Sequence, residues 1–196
     1  MVSSDRQVAL EGVHDAIRRC RDCGLCQPGQ RYVPGEGPAE AQVVFIGEAP
    51  GAEEDRQGRP FVGASGQVLT RLLAQAGLDR AAVFITSVVK CRPPDNRAPT
   101  ATEIAVCQHH LDAQLAVLQP RVICPLGRIA AQARLGKGFS ISREHAVPRR
   151  LGEVLYVPLY HPAAALHQAR LLPTLEADMS RLRAILAEEL GEPARR

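Results

Sequence analysis

The stretch Gln42-Val43-Val44-Phe45-Ile46-Gly47-Glu48-Ala49-Pro50-Gly51 decides the fold. Its first half is a short apolar run that ends at a glycine, which is typical of a strand buried on both faces of a sheet. A polar residue and a glycine-proline turn come directly after it. The stretch therefore predicts a buried strand whose carboxyl end delivers a carboxylate, Glu48, to the edge of a sheet.

Three further apolar runs repeat this strand signal and alternate with helical patterns. The additional predicted strands are residues 82–86, 122–127 and 154–159. Apolar residues at helical spacing predict helices over residues 66–77 and 102–118. An alanine-rich helix is predicted after the strand at 122–127, up to residue 136, and a further helix near the end of the chain. Strands that alternate with helices predict an α/β fold, with a four-stranded, mainly parallel sheet between layers of helices.

Ligands of such sheets bind outside the carboxyl ends of the strands. The segments that directly follow the four predicted strands are residues 48–51, 87–97, 127 and 161–166. We therefore expect the functional residues to lie in these segments.

Length and composition indicate one soluble domain. A chain of 196 residues that is 45% hydrophobic can bury one sizeable core. We expect a single domain over residues 1–196, with a flexible tail at about 191–196, and a monomer. No apolar run approaches the roughly 20 residues that span a bilayer, and the N-terminus lacks an export signal. The prediction is a cytoplasmic protein that does not contact membranes.

The basic residues are almost all arginine. Of the 24 lysines and arginines only Lys90 and Lys137 are lysines, and the net charge is +3. Arginine forks onto phosphate, but a coding bias explains the same composition. The placement of the arginines therefore matters more than their number.

Four of the six cysteines form two widely separated pairs, Cys20-x2-Cys23 and Cys91-x15-Cys107. Without an export signal, metal ligation or buried thiols are favoured over disulfides. Four thiolates suit a structural zinc ion or a 4Fe-4S cluster, and the wide spacing of the second pair favours the cluster. Cys124, inside a predicted strand, is most simply a core residue.

The motifs together resemble family 4 of the uracil-DNA glycosylases, the iron-sulfur branch of that superfamily. The resemblance runs from about Cys20 to the end of the chain and is specific because four motifs coincide: Gly-Glu-Ala-Pro-Gly at 47–51, Gly-Arg-Pro-Phe-Val-Gly at 58–63, Lys-Cys-Arg-Pro-Pro-Asp-Asn-Arg-Ala-Pro at 90–99, and Tyr-His-Pro-Ala at 160–163. It implies the three-layer fold of that superfamily and hydrolysis of the N-glycosidic bond of deoxyuridine in DNA. It also implies a 4Fe-4S cluster held by Cys20, Cys23, Cys91 and Cys107, with Cys26 outside the ligand set.

Uracil excision requires groups that stabilise a sugar cation and a leaving base that becomes negative. The resemblance makes Glu48 the carboxylate that faces the sugar and His161 the donor to the leaving oxygen. It makes Phe61 the ring that stacks on a flipped base. The alternatives are a turn-capping role for Glu48 and a core role for Phe61, while Glu54 is expected to support the loop rather than to catalyse.

The resemblance extends to the substrate and DNA contacts. The residues expected to bind the substrate are Ala49, Pro50, Gly51, Phe61, Val62 and Ser87. Those expected to bind DNA are Lys90, Arg92, Asn96, Arg97, Leu166 and His167. The basic, proline-rich loop suits phosphate contacts, and Leu166 suits an apolar wedge that enters the base stack.

The chain departs from the family pattern in three places. Ser87 stands where the family commonly has asparagine, His145-Ala146 where it has an Arg-Gly pair, and His167 where it has arginine. A serine offers one hydroxyl where an asparagine amide matches both a donor and an acceptor of uracil. These changes leave three alternatives: a slower uracil glycosylase, one with another base preference, or a member without glycosylase activity.

The expected reaction is monofunctional, without lyase activity, because no lysine occupies a position suited to Schiff-base chemistry. No long basic insert with a histidine follows Lys90-Cys91, so the variant that becomes covalently trapped on DNA is not expected. The alternative to an enzyme is a non-catalytic iron-sulfur protein that binds DNA. An electron carrier is a third interpretation, without an accompanying redox motif.

Overall fold

The structure, a computed structural model, describes residues 3–191. The described chain contains eight α-helices: α1 Ser3–Arg19, α2 Ala52–Gln57, α3 Ala64–Gln75, α4 Ala101–Leu118, α5 Gly127–Leu135, α6 Ile141–Glu144, α7 Ala163–His167 and α8 Leu172–Leu190. It contains five strands: β1 Val43–Gly47, β2 Phe84–Ser87, β3 Val122–Pro125, β4 Arg149–Leu151 and β5 Val154–Tyr156. Short 3₁₀ turns lie at Arg80–Ala82, Pro94–Asn96 and Ala169–Leu171.

The strands form one sheet in the order β2-β1-β3-β5-β4. The four predicted strands pair in parallel, and β4 is a short antiparallel edge strand that forms a hairpin with β5. The predicted α/β class with a mainly parallel sheet between helices is confirmed. The fifth strand was not predicted, because β4 is exposed throughout and lacks the apolar run of a buried strand.

Helices cover both faces of the sheet, as the continuous apolar run of β1 predicts. Val43 and Phe45 point to one face, where they pack with apolar residues of α3 and α8. Val44 and Ile46 point to the other face, where they pack with residues of α1, α4 and α5. Successive residues of a strand face opposite sides, so a strand buried on both sides has no polar alternation.

Helix α1 was not predicted from the sequence. It packs against α4 and contributes Leu10 to the same core cluster as Leu111. Helix α1 leads directly into the first cysteine pair, so its packing on α4 fixes where Cys20 lies. Of the predicted tail at 191–196, residues 192–196 lie outside the described part of the chain. Among the described helices none is long and apolar enough to cross a membrane.

Candidate active site and cysteine cavity

The carboxyl ends of the parallel strands meet at one edge of the sheet. Gly47 at the end of β1 lies opposite Ser87 at the end of β2, and Leu126 bridges Leu159 after β3 and β5. Beyond this edge lies a cavity of about 430 Å³. Its lining is Val33, Glu48, Ala49, Pro50, Gly51, Glu54, Pro60, Phe61, Ser65, Ser87, Pro93, Asn96, Arg97, His161, Ala163 and His167. Most of the predicted site residues are therefore brought together.

Glu48 is the carboxylate that directly follows β1, and its side chain is half-buried in the cavity wall. Burial raises the pKa of Glu48 above the usual glutamate value, and the charge of Arg128 opposes this shift. A carboxylate in such a site remains ionised near neutral pH only at some cost, and a developing positive charge nearby would relieve that cost.

His161 follows the last predicted strand and contributes its ring to the same cavity. Its Nδ1 accepts a hydrogen bond of 3.1 Å from the backbone N–H of Ala163. Burial lowers the pKa of His161 to about 4, and the charge of Glu54 opposes this shift. The ring is therefore neutral at pH 7, and because Nδ1 accepts, the proton of the neutral ring resides on Nε2. His161 can thus donate one hydrogen bond without carrying a charge.

Phe61 belongs to a core cluster and also lines the cavity, so both of its expected roles are compatible with its position. Its backbone lies in the left-handed region with φ 51°. The ring centroid lies 5.6 Å from that of His161. A Cβ at Gly47 would lie 2.7 Å from the Phe61 ring, and one at Gly66 would lie 1.9 Å from its carbonyl oxygen. These two glycines allow the strained ring-bearing turn to approach β1 and α3.

Glu54 on α2 holds the two loops that flank this part of the cavity. Its Oε2 accepts from the N–H of Gly51 at 3.1 Å, and its Oε1 accepts from the N–H groups of Val62 and Gly63 at 2.8 and 2.9 Å. One buried carboxylate thus ties the turn after Glu48 to the turn of Phe61. Val62 does not line the cavity itself; its described contact is this backbone hydrogen bond.

Lys90 is buried beneath Ser87 and does not reach the surface. The residue is 1% exposed, and Nζ donates to Thr86 Oγ1 at 2.7 Å, to the Ser87 carbonyl at 2.8 Å and to Gln114 Oε1 at 2.7 Å. The prediction that Lys90 contacts DNA phosphate is wrong, because all three N–H groups of a lysine are already donated inside the protein. Lys90 instead supports the strand end that presents Ser87.

The remaining predicted DNA contacts lie around the mouth of the cavity. Arg97 and Asn96 are exposed, and the Arg97 guanidinium pairs with both carboxylate oxygens of Glu103. Arg92, half-buried, donates to the Asn96 side chain at 2.8 Å and does not line the cavity. On α7, the exposed His167 lines the cavity and Leu166 is 50% exposed outside it.

A second, smaller cavity of about 40 Å³ collects the cysteines. Its lining includes Cys20, Cys23, Cys26, Cys91 and Cys107. Burial raises the pKa of the Cys91 and Cys107 thiols, so bare thiolates are disfavoured there unless a metal stabilises them. Cys26 lines this cavity together with the four expected ligands, so proximity alone does not separate it from them. Cys124 is buried in β3, as expected of a core residue.

His110 also lines the cysteine cavity, although it was not among the residues predicted from the sequence. It lies three residues after Cys107 on α4, and positions i and i+3 share a helix face. This spacing from Cys107 is the sequence feature by which His110 could have been placed near the cysteines. His145, which replaces the Arg of the family pattern, lines neither cavity: its Nδ1 lies 2.8 Å from a carboxylate oxygen of Asp178.

Comparison with known proteins agrees with this geometry. A family model described as the Uracil DNA glycosylase superfamily matches residues 34–186, and the chain belongs to that superfamily. It is similar to the Type-4 uracil-DNA glycosylase of Sulfurisphaera tokodaii, 41% identical over 184 residues, which covers 89% of this chain and 84% of that protein. The Type-4 uracil-DNA glycosylase of Archaeoglobus fulgidus is 42% identical over 184 residues, 88% of this chain and 92% of that protein. The corresponding Thermotoga maritima protein is 42% identical over 160 residues, 81% and 83% of the two chains. The resemblance to family 4 is thereby confirmed.

Proposed function

We propose that the protein is a monofunctional uracil-DNA glycosylase, which hydrolyses the N-glycosidic bond of uracil in DNA as the first step of base excision repair. The similar proteins of three organisms carry that activity in their names. The observation that carries the proposal is that Glu48, Phe61, Ser87 and His161, from four separate segments, line one cavity at the carboxyl edge of the sheet.

The base must leave the stack to enter this cavity, because its sugar bond cannot be reached inside a duplex. Phe61 is positioned to pack against the flipped base. The exposed Leu166 on α7 is suited to fill the space that the base vacates. Arg97 and Asn96 at the mouth are suited to contact the backbone of the DNA. An arriving phosphate must compete with Glu103 for the Arg97 guanidinium.

His161 stabilises the negative charge on the leaving base, and Glu48 stabilises the positive charge on the sugar. The neutral His161 donates its Nε2–H to the base oxygen as negative charge develops on the base. Glu48 stabilises the cationic sugar and orients the attacking water on it. The partial burial of both side chains strengthens both effects because water screens their charges less than it would at the surface.

Ser87 affects base selectivity. One hydroxyl leaves part of the uracil edge without a protein partner, so we propose weaker uracil selectivity than an asparagine would give at this position. Because the hydroxyl rotates, other deaminated bases are tolerated better than they would be by a fixed amide.

Cys20, Cys23, Cys91 and Cys107 would hold a 4Fe-4S cluster. The donor set fits, since five soft thiols line one cavity and thiolates are the ligands of such clusters. The cluster would supply a covalent cross-link between the segment after α1, the loop after β2 and helix α4. The loop that contains Cys91 also carries Arg92, Asn96 and Arg97, so the cross-link would steady the mouth of the active-site cavity.

The alternative, a DNA-binding protein without activity, predicts the same binding but no excision. A uracil-containing oligonucleotide is incubated with the purified protein and abasic sites are then cleaved with alkali. We expect strand cleavage with uracil and none with a matched cytosine oligonucleotide. Glu48→Ala and His161→Ala should each lower single-turnover excision roughly 10²–10³-fold, with DNA affinity nearly unchanged. Binding without cleavage by the unmodified protein would favour the alternative.

A further inference from the structure

His110 is a buried imidazole that lines the cysteine cavity and has a ring nitrogen without a hydrogen-bond partner. The residue is 6% exposed, and its Nε2 is buried without a hydrogen-bond partner among the described residues. A ring nitrogen of His110 lies within 4.8 Å of Cys20 Sγ and of an Asp22 carboxylate oxygen. A buried polar atom without a partner costs about 1–3 kcal/mol, so an unmade hydrogen bond at this place indicates that a partner is missing.

The neighbouring His109 shows what distinguishes His110. The two ring centroids lie 3.9 Å apart with the rings tilted by 41°, but the His109 side chain is 56% exposed and its Nδ1 is hydrogen-bonded to the Val106 carbonyl. Two adjacent residues of one type on one helix thus differ in burial and in partners. Of the two, His110 alone lines the cysteine cavity.

The other polar side chains around the cysteine cavity are already engaged. Lys90 donates its three N–H groups to oxygen acceptors. The Tyr32 hydroxyl donates to the Cys20 carbonyl, and the exposed Arg21 donates to that carbonyl as well. Asp22 is an acceptor. Arg21 is exposed, and its remaining N–H groups can bond to water. Within the described part of the cavity wall, His110 is therefore the side chain with a buried, unpartnered nitrogen that could donate to an acceptor placed among the cysteines.

We propose that His110 donates its Nε2–H to a sulfur of the iron-sulfur cluster and thereby raises the reduction potential of that cluster. This inference rests on the proposed 4Fe-4S cluster. Thiolates and cluster sulfides are acceptors only, so they complement an N–H. Because five thiols already surround four ligand positions, an imidazole ligand is not required, and His110 is a positioning residue that acts through the sulfur.

The direction of the effect follows from charge. Reduction adds one negative charge to the cluster, and a hydrogen bond to sulfur stabilises the more negative form. Loss of the donor should therefore favour the oxidised cluster. We expect a change of about tenfold in the equilibrium constant for reduction, which is about 59 mV for a one-electron couple.

The test compares reduction potentials of the iron-loaded protein and three variants by protein-film voltammetry, with iron content measured in parallel. His110→Leu should keep its iron and have a lower potential. His110→Gln, which retains an N–H donor, should restore part of the difference, and the matched control His109→Leu should have the unmodified potential. Uracil excision is measured separately, so that failure of the activity is distinguished from failure of this inference.

Equal potentials in His110→Leu and the unmodified protein would overturn the inference, as would an equal shift in His109→Leu. If His110→Leu fails to fold, the comparison rests on His110→Gln. The reduction potential of this variant should then be lower than that of the unmodified protein, with a decrease of less than tenfold in the equilibrium constant for reduction. A folded His110→Gln that holds no iron would make His110 a ligand and overturn the donor role. An iron-free unmodified protein would overturn both the cluster and this inference.

Discussion

Ser87 presents one hydroxyl to the active-site cavity at a position fixed from two sides. Its neighbour in the sheet is Gly47, and its carbonyl accepts from the buried Lys90. The backbone is therefore held, and a change of side chain at this position should alter the chemistry of the cavity more than the position of the strand.

Ser87→Asn should raise uracil excision about tenfold, because a lost polar match costs roughly 1–3 kcal/mol and each 1.4 kcal/mol is a factor of ten. Hypoxanthine and xanthine should gain less, since an oriented amide suits fewer base edges than a rotating hydroxyl. The measurement is single-turnover excision on three matched oligonucleotides. Ser65→Asn, at another serine of the same cavity, is the control. Unchanged rates on all three bases in Ser87→Asn would mean that Ser87 does not contact the base.

The pH dependence of excision should follow Glu48 and not His161. His161 becomes charged only near pH 4, so it remains a neutral donor throughout the physiological range. The pKa of Glu48 is raised above the usual glutamate value. As the pH falls, the Glu48 carboxylate should therefore be protonated before the His161 ring is. Single-turnover rates should therefore decline as the pH falls through a range above the usual glutamate pKa, and Glu48→Gln should remove the decline. A limb near pH 6.5 that disappears in His161→Asn would contradict this assignment.

At the scale of elements, the short helix α2 acts as a clamp between two loops. Its N3 residue Glu54 accepts from the backbone of the Gly51 turn on one side and of Val62 and Gly63 on the other. The clamp explains how a six-residue helix with little apolar surface can fix both Glu48 and Phe61, which belong to different loops.

Glu54→Gln should lower both stability and excision. A glutamine has one oxygen where three N–H groups now share two carboxylate oxygens, and its NH₂ group would face backbone donors. The loss of a charge-assisted hydrogen bond predicts about 2–3 kcal/mol lower free energy of unfolding and about tenfold slower excision. Denaturant titration and single-turnover kinetics measure the two effects. The control is Glu53→Gln, because Glu53 is the exposed neighbour of Glu54 and pairs with Arg56. This variant should change neither stability nor excision. Equal effects in both variants would exclude a specific clamp by Glu54.

At the scale of the whole molecule, the cysteine cavity joins segments that are distant in sequence. Cys20 follows α1, Cys91 follows β2, and Cys107 lies on α4. A cluster at this place would reduce the freedom of the unfolded chain and tie the DNA-facing loop to the helical layer.

Replacing Cys20 or Cys107 by serine should therefore abolish bound iron and lower the midpoint of thermal unfolding. The unmodified protein should contain about four irons and no zinc, measured by elemental analysis. Cys124→Ala and Cys26→Ser should keep their iron, because Cys124 is in the sheet and Cys26 lies outside the expected ligand set. Loss of iron in Cys26→Ser would show that this thiol, which lines the same cavity as Cys91, takes part in ligation.

The sequence by itself determined the sheet and most of the cavity lining. Strand ends in a parallel sheet meet at one edge, so Glu48, Ser87 and His161 could be placed together from local patterns alone. It did not predict helix α1. It also did not predict the edge strand β4, because β4 is exposed and lacks the buried apolar run by which the other strands were found.

Only the tertiary structure decided the surroundings of the individual polar groups. Lys90 stands in a basic, proline-rich motif, yet it is buried because Thr86, Ser87 and Gln114 supply oxygens from two other elements. His110 and His109 are adjacent residues of the same type, but in the folded protein His110 is buried at the cysteine cavity and His109 is exposed. A local pattern records the period of an element and the residues next to it along the chain. Burial and hydrogen-bond partners depend on segments that come together only in the folded protein.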